Sequence, residues 1–292
     1  MQSVFRTRRS RVLARVLLYG GLLFVGLPFA FSQVMIGTHR RTVSARPVEG
    51  YEQIQLVSDG LRLRAWLGRG RVDRPAFVVA HGLGDDLESY LGHARPLRAR
   101  GHTVLLVDLR GHGGSEGSFT TLGGLESHDV RAAMAHLREA GLARAGIGLM
   151  GASMGAVAVL LAAADQPDVR VVVVEAPYDT YRDSIRHHAK LLYHVPPWLP
   201  LIPLSIRFAE WRAGFSADAI DCVVAARRIR APLLAIVDGA DERMPEPVVR
   251  RVVDAHPGAH RLWVAPGATH VGAILDPGWR GVVIGFLEEQ GL

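Results

Sequence analysis

The chain has 292 residues, of which 49% are apolar and 21% charged. That is enough apolar chain to bury a sizeable core, and it excludes wholesale disorder. The net charge of +6 does not point to nucleic acid: residues 1–46 hold eight Arg and no acid, so the rest of the chain carries about −2. A nearly neutral body argues against a surface that tracks phosphates. The single cysteine, Cys222, excludes an intrachain disulfide and a Cys-rich metal site, and reads as a small buried apolar residue.

In chain order, Arg6, Arg8, Arg9, Arg11 and Arg15 form a basic tail over residues 1–15. An uncharged stretch follows from Val16 to Ile36. At 1.5 Å per residue its helix is about 30 Å long, the thickness of a hydrocarbon core. Gly20, Gly21, Gly26 and Pro28 weaken it as a soluble helix but are tolerated in lipid. Beyond it lie only Arg40, Arg41 and Arg46, so the positive-inside bias puts the N-terminus in the cytoplasm and the body outside. The segment thus reads as a single-pass anchor in the cell membrane. A signal peptide cut after Ala30-Phe31-Ser32, giving a secreted protein, and a core helix are the competing readings. Residues 37–48, with Thr38–Pro47 at their centre, read as a polar, flexible link to a body spanning 49–292.

In that body, Tyr51–Val57 and Leu61–Leu67 alternate apolar and polar residues around Ser58-Asp59-Gly60, the pattern of a β-hairpin. Short apolar runs follow at Ala76–Ala80, Thr103–Val107, Ile147–Met150, Val171–Val174, Leu233–Val237 and Leu262–Val264. They suit strands buried on both faces of a parallel sheet. Helical periods lie between and after them, at Leu87–Arg100, Leu125–Glu139, Met154–Ala164, Glu246–Ala255 and Pro277–Glu289. Strands alternating with helices predict an α/β, mostly parallel, doubly wound sheet with an N-terminal antiparallel hairpin. Tyr178–Arg227 breaks the alternation with about fifty residues where 2–6 are usual, and predicts a helical cap over a pocket or an extra helix pair. It is rich in apolar residues and in proline, at Pro196, Pro197, Pro200 and Pro203.

Gly151-Ala152-Ser153-Met154-Gly155 joins an apolar strand to a helix. This G-x-S-x-G junction is a nucleophile elbow: the glycines leave room at a sharp turn that lifts the serine hydroxyl clear of the backbone. A serine hydroxyl is a weak nucleophile and needs a base steered by a carboxylate. His270, after the last strand, is the candidate base. Asp241, after the strand before it, is the candidate acid, with Asp238, Glu242, Glu175 and Asp179 as rivals. Acyl transfer also needs donors for the developing oxyanion, here the N–H groups of Met154 and of Leu83 in His81-Gly82-Leu83-Gly84. Asp108-Leu109-Arg110-Gly111-His112-Gly113-Gly114-Ser115 reads as a structural turn beside the site, with Ser115 and His112 as decoys for a triad search. His187, His188 and His194 lack the acidic or Cys partners of a metal site.

In their order along the chain, the His81, Asp108, Gly151–Gly155, Asp241 and His270 motifs resemble the α/β-hydrolase superfamily, and within it the serine aminopeptidase and monoacylglycerol lipase-like group. Membrane-anchored hydrolases that pair an N-terminal helix with this core are similar as well. The resemblance covers about Gln53 to Leu287. It implies the α/β-hydrolase fold, a Ser153–Asp241–His270 triad, an oxyanion hole at Leu83 and Met154, no cofactor, and ester or amide substrates. The apolar insertion and the anchor favour a lipid or other hydrophobic acyl ester. A peptidase or amidase on the same fold is the enzymatic alternative, and a non-catalytic binding protein is the reading from another class. Dehalogenase and epoxide hydrolase chemistry would need a carboxylate in place of Ser153.

Overall fold

The computed structural model describes residues 2–38, 40–44, 46–196 and 198–292, with the side chains of residues 2–7 outside that description. The Arg6 side chain, His39 and Ala45 of the expected link, and Pro197 of the insertion therefore lie outside the described residues.

The chain opens with one long helix: α1 (Gln2–Gly21), a π-helical stretch at Leu22–Gly26, and α2 (Leu27–Ile36). Pro28 lacks an N–H, and its ring crowds the carbonyl of the residue four before it. A π turn just upstream is one way a helix absorbs such a defect. From Arg8 to Ile36 the helix is long and apolar enough to cross a bilayer, and its most apolar window is only 6% buried. Most of the segment therefore lies outside the core of the body, which takes in only its end, at Met35 and Ile36. The expected flexible link is fastened down: the N–H and Oγ of Ser44 reach Glu88 at 2.8 and 2.5 Å, and Arg41 pairs with Asp85 at 3.1 Å.

The body then runs through β1 (Glu52–Ser58), β2 (Leu61–Gly68), β3 (Ala76–Ala80), α3 (Leu91–Ala99), β4 (Val104–Val107), α4 (Glu126–Glu139), β5 (Ile147–Ala152) and α5 (Met154–Ala163). It continues with β6 (Val169–Glu175), α6 (Tyr181–Tyr193), α7 (Leu201–Ala213), α8 (Cys222–Arg227), β7 (Leu233–Asp238), α9 (Glu246–Asp254), β8 (His260–Ala265) and α10 (Trp279–Glu289). The eight strands form one sheet in the order β1-β2-β4-β3-β5-β6-β7-β8. β1 and β2 are the antiparallel hairpin, β2 is antiparallel to β4, and every later pairing is parallel. This is the α/β-hydrolase fold expected from the sequence.

Period-2 alternation divides the core between the two faces. Val78, Ala80, Leu105 and Val107 face α4, α5 and α9, whereas Phe77, Val79, Val104 and Leu106 face α3 and α10. The chain order reverses at β3, which lies between β4 and β5 with Ala80 opposite Gly151. Loops leaving the carboxyl ends of strands at such a switch point diverge and leave a crevice. The insertion forms α6, α7 and α8, and Cys222 at the start of α8 is fully buried, as expected.

Candidate active site

Ser153 sits between β5 and α5 with φ 51° and ψ −117°, a left-handed conformation that strains a residue with a side chain. The glycines explain how the turn closes. A Cβ on Gly151 would strike the backbone of Gly155, and one on Gly155 would strike the carbonyl of Ala80 in β3. The Ser153 N–H donates to the Glu175 carbonyl at 2.8 Å, which ties the turn to the next strand.

His270, in the loop after β8, accepts the Ser153 hydroxyl at Nε2, 2.8 Å from Oγ. Its Nδ1 lies 2.6 Å from Asp241 Oδ2. With Asp241 ionised, Nδ1 carries the hydrogen and Nε2 is left as the acceptor. Burial alone would raise the Asp241 carboxyl. The His270 hydrogen bond and charge, with the Met244 and Arg243 N–H groups, outweigh that and hold it below the usual aspartate range. Asp241 Oδ1 accepts the Arg243 N–H at 2.8 Å, so the turn fixes one oxygen and presents the other to the imidazole.

The rival acids sit elsewhere. Glu242 is exposed, and its carbonyl faces His187 Nε2 at 2.7 Å. Asp179 pairs with Arg251 at 2.6 Å. Asp238 and Glu175, at the ends of β7 and β6, lie behind the loop that carries His270. Asp238 Oδ2 accepts the N–H of Val271, and its Oδ1 accepts those of Gly272 and Ala273. Glu175 Oε1 shares the Ala273 N–H at 3.1 Å. Val271 has φ +59°, unusual for a β-branched residue, and these bonds hold it there. Burial, then the Glu175 charge, push the Asp238 carboxyl up to about 7.

That shift has a definite sign. The unfolded chain loses the Asp238 proton near the usual aspartate value of about 4. The folded chain keeps it to about 7. Folded protein therefore binds the extra proton between these values, so stability falls as pH rises through that window and levels off above it. Glu175→Gln removes the like charge and shrinks that fall. Urea midpoints measured at pH 4.5, 6 and 7.5 would show a slope on the order of a few kcal/mol in the parent and a smaller one in the variant. Equal slopes would refute the coupling.

Ser153, Met154, Leu83 and His270 line one cleft of about 370 Å³. His81 supports the Leu83 loop. Its Nδ1 faces the Gly82 carbonyl at 2.8 Å, and its Nε2 accepts the Leu109 N–H at 3.0 Å. Burial drives its pKa down to about 3, so the ring stays neutral and this bonding pattern is fixed. The turn from Asp108 to Ser115 is a support network, as expected. Asp108 accepts the N–H groups of Leu87 and Gly114 and the Arg64 guanidinium, and Ser115 Oγ donates to the Asp108 carbonyl while fully buried. Among the described residues, Asp238, Asp241 and His270 are the one trio with ligand atoms close enough for a metal, and all three are already engaged as above.

A family model described as serine aminopeptidase, S33, matches residues 72–217, half of the chain. The chain belongs to this family. Its sequence is also 27% identical over 197 residues to an uncharacterised Bacillus subtilis protein, YqkD, covering 66% of this chain and 64% of that protein. A second relative, an uncharacterised protein of Mycobacterium tuberculosis, is 29% identical over 228 residues, 76% of this chain and 72% of that one. Among solved structures, an esterase of Pyrococcus furiosus superposes with a TM-score of 0.69 at 23% identity, over 87% of this chain and 98% of its own. A bacterial membrane phospholipase A superposes with a TM-score of 0.60 at 20% identity, over 98% of each chain. The S33 family is one of hydrolases, and the fold of these neighbours is that of α/β-hydrolase enzymes.

Several contributors to the S33-type cleft had no mark in the sequence. Tyr90 accepts the Gly82 N–H at its hydroxyl, 3.0 Å away. Ile185, His188 and Leu192 bring α6 to the cleft wall. Only the insertion's length and apolarity hinted that it would reach the site.

Proposed function

We propose that the protein is a membrane-anchored serine hydrolase that cleaves carboxylic esters of hydrophobic acyl groups through an acyl-enzyme. The observation that carries this reading is the chain of two short hydrogen bonds from Ser153 through His270 to Asp241 at the floor of an open cleft. Ser153 attacks the acyl carbonyl while His270 Nε2 takes its proton. Asp241 holds the imidazole in that tautomer and stabilises the imidazolium. The Leu83 and Met154 N–H groups receive the oxyanion. His270 then protonates the leaving alcohol, and water, activated by the same imidazole, releases the acid.

Ester is favoured over peptide by the state of the cleft's carboxylate. Asp85 lines it but is already paired with Arg41 at 3.1 Å, so this carboxylate is engaged and not free to receive a substrate amine. The apolar N-terminal helix and the neighbour described as a membrane phospholipase A support a bilayer location and a lipid acyl substrate. The excess of Arg before the helix favours a catalytic domain on the non-cytoplasmic side. Cleavage of the helix as a signal would instead give a secreted enzyme.

The test is a panel of p-nitrophenyl esters from two to sixteen carbons, run beside matched anilides, with fluorophosphonate labelling of the purified full chain. Labelling and an ester preference of about 100-fold or more support the reading. A protein that neither labels nor turns over any ester refutes it, and faster anilide cleavage replaces it with the amidase reading.

A further inference from the structure

The N-terminal helix does not stand free along its whole length. From Val16 to Leu27 none of its residues is buried. From Pro28 onward one face is covered, because Pro28, Ser32, Met35 and Ile36 pack against the body. The partner is α7. Phe29 meets Phe208 edge to face at 5.6 Å. The Arg212 guanidinium lies 4.7 Å over the Phe29 ring and donates to Ser32 Oγ at 2.9 Å. Phe31 also meets Tyr193, the last residue of α6, at 5.2 Å.

The uncharged part of the stretch without buried residues is too short for a bilayer. The twelve residues Val16–Leu27 rise about 18 Å, against a hydrocarbon core of about 30 Å. With Arg11 and Arg15 kept out of the hydrocarbon, the helix can fill that thickness only if the turns docked on α7 enter the lipid too, and α7 then goes with them. The two helices run in the same direction, since Phe29 lies beside Phe208 and Ser32 beside Arg212. The N-terminal end of α7 therefore points back toward the membrane-spanning part of the helix. That end is suited to lipid: Trp198–Ile206 holds no charged residue, and Trp198 is 79% exposed, while Trp211, 75% exposed, lies near the other end of α7, at the level of Ser32. Exposed tryptophans are costly in water and characteristic of the bilayer interface.

The cleft lies next to this surface. Leu192, which lines it, precedes Tyr193, which touches the N-terminal helix. We propose that α7 and the turn before it are a second membrane-inserted element, sunk into the leaflet from which the N-terminal helix emerges, so that the cleft takes its acyl ester directly from the lipid surface. This rests on the anchored-hydrolase reading above and adds to it the face that contacts lipid.

The test uses the full chain in phosphatidylcholine vesicles carrying brominated acyl chains. Three of the five tryptophans (Trp66, Trp263 and Trp279) lie within the body and not on this surface. Bromine should quench the fluorescence of the parent, and Trp198→Phe/Trp211→Phe should remove most of that quenching. In parallel, Trp198→Lys/Trp211→Lys should lower hydrolysis of vesicle-embedded phospholipid at least tenfold and leave turnover of soluble p-nitrophenyl acetate unchanged. Quenching that is absent, or that survives the Phe substitutions, overturns the inserted cap even if the Lys variant fails to fold. Equal loss on both substrates by a folded Lys variant overturns it as well. A parent that turns over neither substrate instead defeats the hydrolase reading, and one released from vesicles by alkaline carbonate defeats the anchor.

Discussion

Ser153→Ala should lower kcat on a short p-nitrophenyl ester by about 10⁴- to 10⁶-fold and abolish fluorophosphonate labelling. The reason is chemical and local. The Ser153 hydroxyl lies 2.8 Å from His270 Nε2, whereas the cleft's other serine near an imidazole, Ser184, sits 3.5 Å from His188 Nδ1. Loss of activity alone could reflect misfolding, so stability supplies the second readout. Ser153 is held at φ 51° by the packing of Gly151 and Gly155 around the turn. Alanine at that position keeps the strain and glycine relieves it. Ser153→Gly should therefore be as inactive as Ser153→Ala but more stable than it by on the order of 1 kcal/mol. Urea midpoints of the two variants check this. Retained labelling in either variant would remove Ser153 from the mechanism, and equal midpoints would remove the strain argument.

Asp241→Asn should reduce kcat on the same ester by about 10³- to 10⁴-fold with little change in KM. The amide can still bond to His270 but favours the wrong tautomer, and it cannot stabilise the imidazolium. The comparison that matters is with the other carboxylates in reach of this end of the sheet. Glu242→Gln and Asp179→Asn should retain at least about a third of parental activity, because Glu242 is exposed and Asp179 is engaged with Arg251. Glu175→Gln should stay within about tenfold of the parent, because Glu175 bonds to the backbone of the His270 loop and not to the imidazole. If one of these three variants were more damaging than Asp241→Asn, the assignment of the acid would move to that residue.

Much of this site was legible in the residues. A glycine-flanked serine between an apolar strand and a helix has few other physical uses, and the strand ends came out within a few residues of where β-branched runs placed them. The strand from Ile147 extends through Ala152 and that from Val171 starts at Val169, because edge residues join a sheet by backbone bonds that side-chain pattern does not record. The link after the N-terminal helix misled in a different way. Its polarity suggested free chain, but Ser44 finds a partner in Glu88 some forty positions away.

The sequence by itself determined the order of the chemical motifs, the alternation of strand and helix, and an N-terminal helix apolar enough for lipid. These depend on local periodicity and on residue types with narrow uses. Tertiary structure alone decided which of five carboxylates faces His270, that Asp238 and Glu175 converge on one amide behind it, and that the end of the N-terminal helix lies on the cap. Carboxylates are chemically alike along a chain. Which of them meets an imidazole depends on where strands end and which way their last residues point, and the contacts that settle this join segments 29 to 117 positions apart.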